Sequence, residues 1–205
     1  TSAPFFTWTN WEIYKVNRDK PFLQEAYAAG ARFIRYLEKE RDQDQDGMFE
    51  WGPYGIIENV RDGWNVVFQL FSEGEDEGRD ISHELDVLDL TAEVANEMYY
   101  LRLMAKELGD VGGVRVWSEK FDKTAKLINK YMWDEKDKFY YNVSMSDNSF
   151  EFEGKSLRRK ELIGFLPMWA RVATKDQAKE LVKHLTDDKE FWREYGVPTI
   201  SANDP

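Results

Sequence analysis

The sequence predicts an all-α fold, about six helices in antiparallel pairs with one elaborate loop and one β-hairpin. Three observations carry this. Apolar residues recur at three-and-four spacing through four long segments. Helix start and stop residues bracket those segments. Strand-like alternation is confined to one place. The chain has 205 residues, 42% hydrophobic and 15% aromatic, enough for one domain with a real core.

The elements follow in order. A short helix is expected over 4–16. Asp19, Lys20 and Pro21 suit a helix start, and Phe22, Leu23, Ala26, Tyr27, Gly30, Phe33, Ile34 and Leu37 continue it to about Glu40. Residues 41–84 are rich in glycine and charge. They also hold Trp51, Tyr54, Trp64 and Phe68, which argues for an ordered, functional loop. A second stripe runs from Val87 through Leu88, Val94, Met98, Leu101 and Met104 to Leu108, with Gly109 as its stop. A third runs Val114, Trp117, Phe121, Ala125, Ile128, Met132. "KFYYNVSM" and "SFEFE" around Ser146, Asp147 and Asn148 predict the hairpin, near 138–153. A short helix follows over 162–173, and Thr174 with Gln177 has the spacing of a capping box opening the last one. Successive helix pairs of this kind build a bundle, a solenoid or part of an α/α toroid.

Charge and composition narrow the partners. A net charge of -11 opposes binding to phosphate backbones, so nucleic acid is excluded as a partner. The absence of cysteine removes thiol chemistry and Cys-ligated zinc, and leaves the compartment open. No apolar run approaches ~20 residues, so no membrane-spanning helix is expected. The first and last residues read as interior to a domain, so the chain is expected to be a fragment of a longer protein.

Two stretches carry chemistry. In "DQDQDGMFEWG", residues 42–52, Asp42, Asp44 and Asp46 alternate, and Gly47 falls where an EF-hand loop turns sharply. The Met48 carbonyl and Glu50 match the next two ligand places. The twelfth place is Pro53, which has no ligating side chain, so the loop is an incomplete EF-hand and needs a ligand from elsewhere. Calcium is the expected ion, against a plain solvated acidic turn. In "IIENVRDGWNVVF", residues 56–68, Glu58, Arg61 and Asp62 sit among apolar residues before Trp64. A carboxylic acid beside aromatics has its proton held and can serve as a general acid; a structural Arg–carboxylate pair is the alternative.

"RDQDQDGMFEWG", "IIENVRDGW", "ELDVLDLTAEVANEMYYLRLMAKELG", "MWDEKDKFYYNV", "GFLPMWARVAT" and "FWREYGVPTISANDP" occur in the order of one family. The chain resembles the (α/α)6-toroid glycoside hydrolases of the processing α-glucosidase family, family sixty-three, with trehalases as cousins. The likeness covers nearly the whole of 1–205, which would then be part of a single catalytic domain.

The resemblance implies an inverting α-glucosidase-like hydrolase acting on an oligosaccharide or disaccharide. Its general acid maps to Asp62, with Asn59 and Val60 departing from the family's Ser-Gly. Its general base, a Glu in a later motif, would lie beyond Pro205, so residues 1–205 alone are expected to be inactive. A structural calcium is implied in the 42–50 loop, completed by Asp86, with Glu84 second. Trp8, Trp11, Trp51 and Trp64 become candidates for an apolar wall against a sugar, each with a core role as alternative, and Arg61 a candidate substrate contact. Trp117, Trp133 and Trp192 are expected in the core, as are Met98 and Met104. His83 and His184 are expected at the surface or at caps. The competing readings are a non-catalytic calcium-stabilised carbohydrate-binding module and a helical interaction scaffold.

Overall fold

The computed structural model describes residues 4–51 and 83–204. Among these, helix α1 (Phe6–Asn17) is followed by α2 (Lys20–Glu40), which Asp19 caps by accepting from Phe22 N–H, with Pro21 in the first turn. Strand β1 (Leu85–Asp86) leads into α3 (Leu88–Leu108), which ends at Gly109 in the left-handed conformation. Helix α4 (Val111–Leu127), capped by Asp110, runs on into a π turn (Ile128–Met132). A 3₁₀ turn (Leu162–Phe165) passes into α5 (Leu166–Trp169), and α6 (Lys175–Thr186) opens with the full Thr174–Gln177 capping box. The all-α expectation holds.

Helix α3 is the hub. Almost every residue from Leu88 to Met98 is buried, and α1, α2, α4 and α5 pack around it. Helices α2 and α4 instead carry one apolar stripe each and a solvated face. Links of two residues, at Arg18–Asp19 and Gly109–Asp110, return the chain antiparallel within each pair. Gly30 marks the closest approach: a Cβ there would lie 2.3 Å from Thr7 Cγ2 and 3.2 Å from Leu101 Cδ2.

The strands differ from expectation. Residues 143–144 do not pair within a single 138–153 hairpin. β4 (Val143–Ser144) pairs antiparallel with β1, Asp86 opposite Val143. β2 (Trp133–Asp134) pairs with β3 (Phe139–Tyr140), and β5 (Glu151–Phe152) with β6 (Lys155–Ser156). The alternation reflects burial of Tyr140, Tyr141 and Val143 in the main core, which a long-range partner satisfies as well as a local one. Trp192 is corrected too: Trp117 and Trp133 are buried, but Trp192 is 60% exposed. It sits in a turn held by backbone bonds to Asp187, and its neighbour Phe191 takes the core place. Met98 and Met104 pack in the core as expected.

Candidate metal and glycosidase site

The acidic loop is closed at both ends. Glu50 N–H donates to the Arg41 carbonyl at 2.8 Å, and Arg41 Nη1 donates to the Trp51 carbonyl. Between them the carboxylates turn inward. One oxygen from each of Asp42, Asp44 and Asp46 lies within 4.8 Å of the others. Backbone N–H groups hold them there: Gly47 donates to Asp42, Asp46 to Asp44, and Met48 to Asp46. Gly47 stands at φ +99°, a conformation that a side chain would strain, so glycine is required at this turn. Glu50 is fully buried and accepts from Gln43 N–H through both oxygens.

Asp86 arrives from across the sheet. Val87 N–H donates to the Phe49 carbonyl at 2.9 Å, and Phe49 N–H to Thr91 Oγ1 at 3.0 Å, stitching the loop to the start of α3. This brings Asp86 against Asp42, Asp44, Asp46 and Glu50. It is fully buried, and neither of its oxygens has a hydrogen-bond partner. Burial, then the neighbouring carboxylates, pushes its carboxyl up to about 8. Burial likewise raises Glu50 to about 7 and Asp42 to about 6. A buried acid without a donor, facing four more carboxylates, fits an oxygen-coordinated hard cation. So the predicted ligands Asp42, Asp44, Asp46, Met48, Glu50 and Asp86 are brought together. Glu84 lies in the adjacent turn, its carbonyl accepting from Met145 N–H.

The aromatic candidates separate. Trp51 is buried, and its Nε1 donates to Asp89 Oδ1 at 3.1 Å, directly after the acidic loop. Trp8 is half-buried and meets Trp169 and Phe5 edge-on, with centroids 5.5 and 5.9 Å away. Trp11 lies against Tyr14, in a small cluster with Leu23, Ala26 and Met104. Asp62, Arg61 and Trp64 lie outside the described residues. His83 meets Gln43 Nε2, and His184 sits half-buried between Glu190 and the Asp137 carbonyl.

Sequence reasoning passed over two buried acids of α3. Asp89 holds the Trp51 indole, and Glu97 accepts from the N–H groups of Thr7 (2.6 Å) and Trp8 (3.1 Å), capping α1 from another helix. The available signal was at Phe5 and Val87: neither N-cap position offers a side chain that can cap, so a partner from elsewhere was required.

The sequence matches the mannosylglycerate hydrolase MGH1-like glycoside hydrolase domain family over residues 1–205. The chain belongs to that family. Among solved structures, this MGH1-like domain is similar to a family GH63 mannosylglycerate hydrolase from Thermus thermophilus in complex with glucose. The two share 17% identity at a TM-score of 0.72, over 100% of this chain and 56% of the other. It is similar also to the neutral trehalase Nth1 of Saccharomyces cerevisiae, at 16% identity and a TM-score of 0.71, over 100% of this chain and 46% of the trehalase. A curated relative, an uncharacterised protein of Borreliella burgdorferi, is 23% identical over 202 residues, 98% of this chain and 37% of its own length. The MGH1-like domain thus has the (α/α)6-toroid glycosidase fold, and the chain spans about half or less of these relatives.

Proposed function

We propose that the protein hydrolyses α-glycosidic bonds of an oligosaccharide or disaccharide, with inversion, and that residues 1–205 supply its general acid and a structural calcium site. The family match over the whole chain carries the hydrolase reading. The similar Thermus hydrolase was solved with glucose, and in another crystal with Tris and D-glycerate, which supports a small sugar conjugate as substrate.

In this reading Asp62 protonates the glycosidic oxygen. A second carboxylate, in a later motif of the family, activates water from the opposite face; such pairs stand roughly 6.5–9.5 Å apart. Trp8, Trp11, Trp51 and Trp64 are the proposed apolar surfaces for the sugar, with Arg61 a polar contact. Asp62→Asn, made in the protein that carries both carboxylates, is expected to lower turnover by ~10²–10⁴-fold or more with little change in melting temperature. Normal turnover with a lowered melting temperature would instead mean that Asp62 is a structural partner of Arg61.

Asp42, Asp44, Asp46, Glu50, Asp86 and the Met48 carbonyl would hold the calcium. Bound there, the ion supplies positive charge that lets buried carboxylates stay ionised. The unpartnered Asp86 carboxyl supports this assignment. The loop's own contribution is positional: it ends at Trp51 and leads into the segment that bears Asp62. Titration calorimetry with calcium tests it, and an absence of both heat and thermal stabilisation ends it.

A further inference from the structure

We propose that Lys123 of α4 is a built-in counter-ion of the acidic loop, which weakens its hold on a divalent cation and keeps the metal-free loop in shape. The proposal rests on the cation reading above, and its test separates the two.

The lysine tip lies on the turn itself. A Cβ at Gly47 would come within 2.8 Å of Lys123 Nζ and 3.2 Å of its Cε, so the ammonium covers the bare Cα between Asp46 and Met48. From there its charge acts on both Asp42 and Asp46, opposing the rise that burial imposes on them. The neighbouring lysines of α4 are committed elsewhere: Lys120 to Glu38, and Lys130 to the Tyr131 ring and hydroxyl. Lys123 also stands at the edge of a groove of about 470 Å³ lined by Glu119, Asp122, Lys126, Leu127 and Lys130, so its head is open to water and screened in part.

Without a cation, five carboxylates face one another, and a nearby positive charge offsets part of their repulsion. With a dication bound, the same charge repels it. A unit charge within roughly 10 Å of a dication changes affinity by between a few-fold and about tenfold at moderate salt. The glycine is therefore selected twice: once for its backbone conformation and once for the room it gives the lysine.

The experiment is calorimetric titration of the 205-residue chain with calcium, for wild type, Lys123→Met and Lys130→Met, with melting temperatures in chelator. Methionine keeps the length and apolar stem of lysine and removes the charge. Lys123→Met is expected to bind calcium about five- to tenfold tighter and to melt at a lower temperature in chelator. Lys130→Met removes the same net charge and is expected to stay within about twofold of wild type. Unchanged or weaker binding by Lys123→Met overturns the proposal, as does equal tightening by Lys130→Met, which would assign the effect to bulk charge. If wild type and both variants give no heat, the cation reading itself falls and takes this inference with it.

Discussion

At the scale of single residues, Asp86 is the side chain whose surroundings most constrain the chemistry. Burying an acid with no donor is costly, and the protein relieves the cost by proton uptake or by a cation. The sign of the pH dependence follows. Asp86, Glu50 and Asp42 are pushed up to about 8, 7 and 6 in the folded state, above the usual carboxylate range. Without a cation the fold binds protons that the unfolded chain releases. Its stability is then fullest in acid and declines as pH rises from about 4 through about 8. Melting curves in chelator across that range are expected to show the decline, and saturating calcium to flatten it near neutrality. Asp86→Asn should have opposite effects in the two media: a higher melting temperature in chelator at about pH 8, and weaker calcium binding by at least about tenfold. Asp42, Asp44, Asp46 and Gly47 were legible because their offsets are local chemistry. Asp86 was reachable only through family resemblance, since its place depends on β1 meeting β4, a pairing between distant residues that sequence pattern does not encode.

At the scale of elements, the informative junction is where α1 meets α2 and α3. Phe5 offers no side chain to the first N–H groups of α1, so Glu97 reaches over from α3 to accept them. Glu97→Ala leaves those donors buried and unpaired, an expected loss of ~2–3 kcal/mol by chemical denaturation. Gly30→Ala would gain ~1 kcal/mol of helix propensity. The clash with Thr7 overrides it, so a net loss of ~1–3 kcal/mol is expected. The helices themselves were legible almost to their caps, because α2, α4 and α6 each have one wet face and one dry face. Glu97 was not. Amphipathic reasoning assumes that a charged residue on a helix points to solvent, and α3 has little solvated face in its first three turns.

At the scale of the molecule, the C-terminal segment is latched to the rest by ion pairs and backbone bonds. Lys160 Nζ pairs with Glu190 at 2.7 Å, Arg159 with Asp204 at 2.7 Å, and Ser201 N–H donates to the Lys160 carbonyl at 2.8 Å. His184 adds a contact to Glu190 at 2.6 Å. Glu190→Ala removes the common partner of Lys160 and His184. Faster amide exchange is expected across 187–204 with α3 unchanged; uniform acceleration throughout would show instead that this segment unfolds only with the whole domain. Trp192 and Tyr195 ride on this latch with exposed rings. The sequence pattern that placed Trp192 in the core weighed its hydrophobicity, but the turn after Asp187 can bury only one of two adjacent aromatics.

The π turn at the end of α4 has an evolutionary meaning. Such a turn carries one residue more than the α-helix would need, and the surplus rotates everything after it by about a quarter-turn or more. Here that rotation lets Asn129 donate to the Val172 carbonyl at 2.9 Å while accepting from the Tyr140 hydroxyl at 2.5 Å. Removing a single codon from 128–132 would restore a regular helix locally and put Trp133 and Asp134 out of phase with their partners Tyr140 and Phe139. The extra residue thus acts as an angular spacer, easy to gain by insertion and hard to lose once the following hairpin has been built upon it.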